Sequence, residues 1–400
     1  MNGKPDDHLH NYEVRYMQTR KLYYEDSHLR EFSAQVLSCA QTDRGFEVVL
    51  SATAFYPEGG GQACDLGTLG SANVLDVRER GEEIIHLCDR ALEPESEVRG
   101  VIDWARRFDL MQQHSGEHMV SGVIHRRYGW HNVGFHMGSD MITIDFDGIV
   151  PAEDLPAIEA EVNAGIWADL PVRCWYPSPE VLPTVGYRTK KALPWPVRIV
   201  EVPGFDKCAC CGTHVKRTGE IGLVKLFTSI GCRGGSRMEM ACGQRAMHLL
   251  NRAFDQNRQV SQAFSAKIME TGAAARRMNE TLEQEKFRYG QLQKKWFGFI
   301  AHGCENRGNV LHFEENLDPV QIRELADAIA EVCAGRAAVF SGSDENGYGF
   351  AMVTREGDLR SFGKAMTAAL NGRGGGKPIF QQGRVQADRT AIEDFFREHP

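Results

Sequence analysis

The chain has 400 residues, of which 42% are hydrophobic and 25% charged, the composition of an ordinary globular protein. No apolar run approaches the roughly 20 residues of a membrane span, and the polar N-terminus does not resemble a signal peptide. Eleven cysteines without framework spacing argue against a disulfide scaffold, so we expect a cytoplasmic protein with free or metal-bound thiols.

The net charge of −8 is unevenly distributed. Residues 181–300 carry 20 Lys and Arg against 9 Asp and Glu, a net of +11, so the remaining 280 residues carry −19. A polyanion could bind the basic stretch, but solvated helix faces would give the same pattern. Charge alone favours the second interpretation.

The first 100 residues are rich in predicted strands. Short runs with partial alternation of apolar and polar residues lie between turn sequences such as TDRG and RERGEE: EFSAQVLSC, FEVVLSATAF, ANVLDV, EEIIHLC and VRGVID. This pattern predicts a small antiparallel β-barrel as the N-terminal domain, residues 1–100.

A helix is predicted to follow, because Asp103 can cap it and Trp104, Phe108, Met111 and His114 recur at helical spacing. Further strand-like and helical runs, among them MITIDF, AEDLPAIEAEVNAGIWA, VRIVEV and IGLVKLFTSI, predict an α+β domain over 101–245. The overall fold class is therefore α+β.

Two more domains complete the prediction. Residues 246–300 have a near-heptad apolar pattern and no proline, which predicts a helical or coiled-coil spacer with Gly272 as its break. Residues 301–400 predict an α/β domain whose stretch NGRGGGKPIFQQG reads as a glycine-rich loop.

The predicted helix carries MQQHSGEH, with His114 and His118 four residues apart and so able to share one metal ion. The same letters fit the H-x-x-E-H zinc-protease motif, in which Glu117 would be the base. On a helix Glu117 lies roughly 80° from the metal-facing side, so we expect it to face solvent.

A second cluster, KCACCGTHV, places cysteines and His214 within a few residues. Zinc prefers a tetrahedral set of Cys and His ligands, so two histidines from the helix and two ligands from this loop would complete a site. Spacing alone does not choose among Cys208, Cys210 and Cys211.

The third motif is FYPEGGGQ, residues 55–62. Its glycines allow close backbone approach to a ligand and leave amides free to donate, although a flexible hairpin tip would have the same composition. It is not a P-loop, since no Gly-Lys-Ser/Thr follows.

Together, in this order, FYPEGGGQ, MQQHSGEH and CCGTHV resemble the AlaX-type alanyl-tRNA editing proteins, and the C-terminal glycine-rich stretch is similar to that of the long form. The resemblance implies one zinc ion bound by His114, His118, Cys210 and His214. It places Gly60, Gly61 and Gln62 at the pocket, with Gln62 as a catalytic candidate. It also nominates His136 in GFHMGSD as catalytic and Arg237 as facing RNA or supporting the pocket. The usual C-G-G-T-H reads C-C-G-T-H here, with Cys211 in place of the first glycine.

The resemblance implies a zinc-dependent trans-editing hydrolase that deacylates mischarged Ser-tRNA(Ala), with Gly-tRNA(Ala) as a second candidate substrate. Three roles stay open for zinc: water activation, carbonyl polarisation and substrate anchoring. The partner would be tRNA(Ala), with no membrane, and a homodimer could form through the helical or C-terminal region. The alternatives are the metalloprotease and an RNA-binding adaptor with a structural zinc.

Overall fold

The computed structural model describes residues 19–189, 195–232 and 234–400. The chain divides into two compact units, Met1–Asn257 and Arg258–Pro400. The structure is a mixture of helices and sheets, which confirms the α+β class. The finer division into four domains stays a prediction.

The first unit begins with a closed β-barrel. Its strand order is β2-β3-β7-β6-β5-β8, and a short parallel pair, β1-β4, lies outside it. The elements are β1 (Arg20–Lys21), α1 (Leu22–Glu25), β2 (Glu31–Thr42), β3 (Gly45–Leu50), β4 (Ala52–Thr53), β5 (Gly67–Leu69), β6 (Ala72–Arg80), β7 (Glu83–Cys88) and β8 (Glu97–Ile102).

Alternation along the strands explains the barrel. In β2 the side chains of Phe32, Ala34 and Val36 are buried while Glu31, Ser33 and Gln35 are exposed, because successive residues of a strand point to opposite faces. These side chains join one apolar cluster with residues of the other barrel strands. The barrel predicted for the N-terminal region is therefore present.

The rest of the first unit surrounds a long helix with two sheets, in the orders β14-β15-β10-β9 and β11-β12-β13. The elements are α2 (Trp104–Tyr128), β9 (Asn132–Met137), β10 (Ile142–Phe146), α3 (Leu155–Trp167), β11 (Arg173–Trp175), β12 (Ile199–Val202), β13 (Asp206–Ala209), β14 (Val224–Cys232), β15 (Gly235–Cys242) and most of α4 (Gly243–Ala263), which continues past the end of the unit at Asn257. The cap predicted for α2 is confirmed, since the Asp103 side chain accepts a hydrogen bond from the backbone N–H of Arg106 at 3.2 Å.

A buried ion pair joins α2 to the segment that follows the glycine motif. Arg107 on α2 and Asp65 are both inaccessible to solvent. Arg107 Nε donates to Asp65 Oδ1 at 2.8 Å, and its Nη atoms donate to Asp65 Oδ2 and to the carbonyls of Ser27 and Ala54. Asp65 Oδ2 also accepts from the backbone N–H of Tyr56. Every hydrogen-bond partner of the guanidinium is thus a protein oxygen.

We predict that Arg107→Met destabilises the protein by roughly 3–5 kcal/mol, because it leaves the Asp65 carboxylate buried without its cation. The double variant Arg107→Met/Asp65→Asn removes the orphaned charge and keeps an acceptor for Tyr56 N–H. It should therefore recover much of the loss. Urea unfolding of the three proteins measures both effects, and a single variant that unfolds at the wild-type midpoint would contradict the prediction.

The second unit contains one five-stranded sheet in the order β16-β17-β18-β20-β19, in which only β16 and β17 are parallel. Its elements are α5 (Thr271–His302), β16 (Val310–Phe313), α6 (Pro319–Ala330), β17 (Arg336–Ser343), β18 (Gly347–Thr354), α7 (Arg360–Ala369), β19 (Arg373–Lys377), β20 (Phe380–Val385) and α8 (Arg389–Glu398). Helix α6 packs in one apolar cluster with this sheet, and α7 and α8 pack in another.

Two local predictions in this region were wrong. The glycine-rich stretch is not a loop, because Gly374 and Gly376 lie in edge strand β19 and pair with Gly383 and Gln381 of β20. The helix break lies at 264–270, and Gly272 is the second residue of α5. In both cases glycine was taken to interrupt the secondary structure, although the strand or helix includes it. Within the described residues, no helix is long and apolar enough to cross a bilayer.

Candidate metal centre

Four predicted side chains converge in the first unit. His114 and His118 project from the same side of α2, while Cys210 and His214 come from the loop after β13. Cys210 Sγ lies 3.4 Å from Nε2 of His114 and 3.4 Å from Nε2 of His214. One donor atom from each of the four residues lies within 4.8 Å of the others.

The Nδ1 atom of each of the three imidazoles makes a polar contact that holds the ring in place. His114 Nδ1 lies 2.9 Å from Gln62 Oε1, His118 Nδ1 lies 3.0 Å from Asp206 Oδ2, and His214 Nδ1 lies 3.2 Å from Ser115 Oγ. An acceptor at Nδ1 selects the tautomer whose Nε2 carries a free lone pair. In His114 and His214 the Nε2 atom accordingly faces the Cys210 sulfur.

This donor set fits a tetrahedral zinc ion. Bonds of about 2.3 Å to sulfur and about 2.0–2.1 Å to nitrogen would hold those atoms about 3.5 Å apart. The observed sulfur–nitrogen separations of 3.4 Å agree with that spacing. Three nitrogen donors and one sulfur donor are also the ligands that zinc prefers.

The electrostatics of the cluster favour a thiolate. Burial raises the pKa of Cys210, but the neighbouring His114, His118 and His214 outweigh it and hold that pKa well below its usual value. Burial also lowers the pKa of His214 to about 3. Burial has the same effect on His118, but there the charges of Cys208 and Cys210 and the hydrogen bond to Asp206 prevail and raise its pKa. A metal ion that binds here would displace a proton.

The loop that carries Cys210 is pinned in place. Nη1 of the buried Arg198 donates to the carbonyls of Cys210 and Gly212, both at 2.9 Å. A Cβ at Gly212 would lie 2.1 Å from His114 Cε1, so only glycine lets the loop approach α2 this closely. Gly212, the glycine of C-C-G-T-H, is thus required because a side chain there would collide with His114.

Of the three cysteines that spacing left open, the structure brings Cys210 to the three histidines. Cys211 is exposed and is outside the donor cluster. Cys208 belongs to a neighbouring group, with its Sγ 3.7 Å from His118 Nδ1 and with Asp206 close by.

The glycine motif forms a tight hairpin turn. Gly59 and Gln62 exchange two backbone hydrogen bonds, and Gly60 and Gly61 have φ of 62° and 86°, as both central residues of a type I′ turn require. The expectation of free amides was therefore wrong for Gly59. The turn places the buried Gln62 between His114 and Thr213, whose Oγ1 accepts from Gln62 Nε2 at 2.7 Å.

A cavity of about 920 Å³ lies over the cluster. Its wall includes three of the four cluster residues and several groups from outside the predicted set: Gly60, Gly61, His114, Glu117, His118, Asn132, Phe135, Arg188, Cys208 and Cys210. The Phe135 ring stacks on His114 with centroids 5.5 Å apart. The volume is sufficient for an amino acid and part of a ribose.

Two predicted residues lie elsewhere. His136 is exposed and follows Phe135 in β9, so the alternation of the strand directs it away from the cavity. Arg237 in β15 is mostly exposed and makes a bidentate ion pair with Asp145, at 2.7 and 2.8 Å. The roles assigned to both stay predictions, and the geometry adds no support to them.

Glu117 does not face solvent, contrary to the sequence-based expectation. It is 5% exposed, and Oε1 accepts hydrogen bonds from Ser121 and Asn132. Helical projection failed here because α2 is enclosed on nearly all sides, so an angle of roughly 80° from the metal still points into protein.

Sequence reasoning also missed Asp206, Ser115 and Arg188. Arg188 forms a bidentate ion pair with Asp206, at 2.7 and 2.9 Å, which fixes the carboxylate behind His118. Only the position of Asp206, four residues before Cys210, hinted at a role. Arg188 contacts the site through tertiary folding, which no local pattern reveals.

The first unit thus combines a β-barrel with an α+β layer whose His₃Cys cluster could hold a metal ion beneath a cavity. Residues 197–241 match the family described as "Threonyl and Alanyl tRNA synthetase second additional domain". The chain is 30% identical over 397 residues to the Alanyl-tRNA editing protein Aarsd1 of Mus musculus, covering 93% of this chain and 94% of the relative. The chain therefore belongs to the alanyl-tRNA editing protein family.

Two further similarities are more partial. The alanine–tRNA ligase of Thermofilum pendens is 31% identical over 93% of this chain, which corresponds to 43% of the ligase. The match to the solved C-Ala domain of Aquifex aeolicus alanyl-tRNA synthetase spans 24% of this chain and 94% of that domain, at 19% sequence identity. Its TM-score of 0.21 is too low to establish a shared fold.

We predict that Asp206→Asn weakens metal binding by roughly 10- to 100-fold, because the carboxylate orients His118 and raises its basicity as a ligand. Chelator competition with zinc as the probe measures the affinity. Asp89→Asn, an exposed change in the barrel, is the matched control and should bind zinc like the wild type. Equal affinity of the two variants would show that Asp206 does not support the site.

Proposed function

We propose that this protein is a zinc-dependent aminoacyl-tRNA deacylase that removes serine from mischarged tRNA(Ala), with glycine as a second substrate. The observation that carries the proposal is the His₃Cys cluster, in which Gln62, Asp206 and Ser115 each hold one histidine from behind beneath a cavity. Family membership supports the substrate class.

The chemistry explains why such a site is needed. Serine differs from alanine by one hydroxyl and glycine by one methyl, and a synthetic site rejects such neighbours by only about 10–200-fold. A second site can instead require a hydrogen bond to the seryl hydroxyl, so that correctly charged Ala-tRNA(Ala) is spared. Hydrolysis of the ester then frees the tRNA for another round of charging.

A bound zinc ion would supply a positive centre that activates water, polarises the ester carbonyl or anchors the substrate. The residues of this chain perform the positioning. His114, His118, Cys210 and His214 hold the ion, Phe135 covers His114 and forms an apolar wall, and the Gly60–Gly61 turn keeps Gln62 against His114. Gln62 is therefore better explained as a positioning residue than as a group that reacts with substrate.

The same contacts argue against a metalloprotease. A sulfur donor beside three imidazoles differs from the two histidines and glutamate of H-x-x-E-H enzymes. Glu117 Oε1, the proposed base in that mechanism, is already engaged by Ser121 and Asn132. An RNA-binding adaptor with a structural zinc differs from a deacylase only in lacking turnover, so it is tested by activity.

Deacylation of Ser-, Gly- and Ala-tRNA(Ala) tests the proposal directly. We expect fast release of serine, measurable release of glycine and sparing of alanine. Cys210→Ala should lose most activity together with zinc, whereas Cys211→Ala, the matched change one residue away, should retain both. Absence of turnover on every substrate would leave the adaptor, and loss of zinc from Cys211→Ala alone would reverse the ligand assignment.

The basic stretch at residues 181–300 provides the proposed contact with tRNA phosphates. Because phosphate contacts release counterions, tRNA affinity should fall by orders of magnitude between about 50 and 200 mM salt. Filter binding of tRNA(Ala) over this range measures the slope. An affinity independent of salt would show that the charge asymmetry has no role in binding.

A homodimer stays a proposal, and α5 offers a surface for it. The residues of the predicted heptad pattern are all about half exposed or more: Met278, Leu282, Tyr289, Leu292, Trp296 and Phe299. Exposed apolar residues repeated at coiled-coil spacing are typical of a helix that pairs with another helix.

A further inference from the structure

Glu117 is a buried carboxylate whose hydrogen-bond partners are both neutral. It is 5% exposed, and its two hydrogen bonds, from Ser121 Oγ and Asn132 Nδ2, both end on Oε1. Among the described residues, no cation lies within ion-pair distance of it. The charge of Arg188, in the same cavity wall, acts on it without a direct contact. A buried anion without a direct cationic partner is costly, so its retention beside a cavity favours a cation bound there.

Asn132 provides a second acceptor at the same place. It is 6% exposed, and its Oδ1 has no hydrogen-bond partner. Its orientation is fixed, because the Glu117 carboxylate can only accept and therefore requires the Nδ2 side of the amide. An unpaired buried carbonyl oxygen is unusual in a folded protein.

Both residues belong to the wall of the cavity over the metal centre. Glu117 lies one residue before His118 and three after His114, so its carboxylate borders the cluster on the same stretch of α2. Asn132 begins β9, the strand that also contributes Phe135. The anionic patch and the metal ligands therefore face one substrate space.

We propose that Glu117 and Asn132 bind the α-ammonium group of the aminoacyl ester, an inference that rests on the proposed deacylase function. Esterification leaves the amino group as the only cation of a seryl or glycyl moiety, and an ammonium offers three donors. Glu117 Oε2 and Asn132 Oδ1 accept two of them. Glu117 is then a substrate-binding residue, and its contact places the scissile ester over the metal centre.

The test compares two substrates on two enzymes. Ser-tRNA(Ala) carries the ammonium, and its deaminated α-hydroxy analogue carries a hydroxyl of similar size. With wild-type protein, the analogue should have a KM about 10- to 100-fold higher than Ser-tRNA(Ala), as expected for loss of a charged hydrogen bond. Glu117→Gln should raise KM for Ser-tRNA(Ala) by a similar factor, leave kcat nearly unchanged and have little effect on the analogue.

Glu153→Gln is the matched control, because Glu153 is an exposed residue of the same unit outside the cavity, and it should behave like the wild type. Zinc content and circular dichroism verify that Glu117→Gln is folded. If Glu117→Gln does not fold, Asn132→Ala tests the same patch. It should raise KM for Ser-tRNA(Ala) and have little effect on the α-hydroxy analogue.

The outcomes are distinct. Equal losses on both substrates would mean that Glu117 only ties β9 to α2, and no loss on either would mean that it does not touch substrate; each result overturns the inference. A wild-type protein that hydrolyses neither Ser- nor Gly-tRNA(Ala) would refute the proposed function itself.

Discussion

The buried pair between Arg107 and Asp65 is the constraint on which the rest of the first unit depends. It locks the start of α2 to the segment behind the glycine motif, and the same carboxylate holds the backbone of Tyr56 at the beginning of that motif. The Gly60–Gly61 turn is consequently held at a defined distance from the helix that carries His114. Without this ion pair, the position of Gln62 relative to the His114 imidazole would not be fixed.

A similar logic orders the opposite side of the cluster. Arg188 and Asp206 form a second internal ion pair, and this pair orients His118 in the way that the turn orients His114. Arg198 pins the carbonyls of the cysteine loop from below. Three arginines thus act as scaffolding around a centre that they do not touch, because their forked donors can satisfy several fixed oxygens at once.

What the sequence predicted well was local. Period-two burial in β2, the cap at Asp103 and the four-residue spacing of His114 and His118 each follow from a few neighbouring residues. The orientation of Glu117 could not be predicted, because it depends on how completely other elements enclose α2. Spacing alone did not choose the thiol donor, since Cys210 and Cys211 differ only in which of them the loop turns inward, and only the family resemblance nominated Cys210. Glycines were an uneven guide: Gly60 and Gly61 lie in a hairpin turn, one of the two readings left open, whereas Gly374 and Gly376 extend a strand where a loop was predicted.

The enclosure of α2 also limits how the site can move. Sixteen of its 25 residues are buried, in an unbroken series from Leu110 to Ile124 together with Arg107. Shifting such a helix would expose apolar surface on several sides at once, and the packed interior resists small displacements. His114 and His118 therefore keep fixed positions in the site. Adaptation to an incoming substrate must come from parts of the cavity wall outside α2.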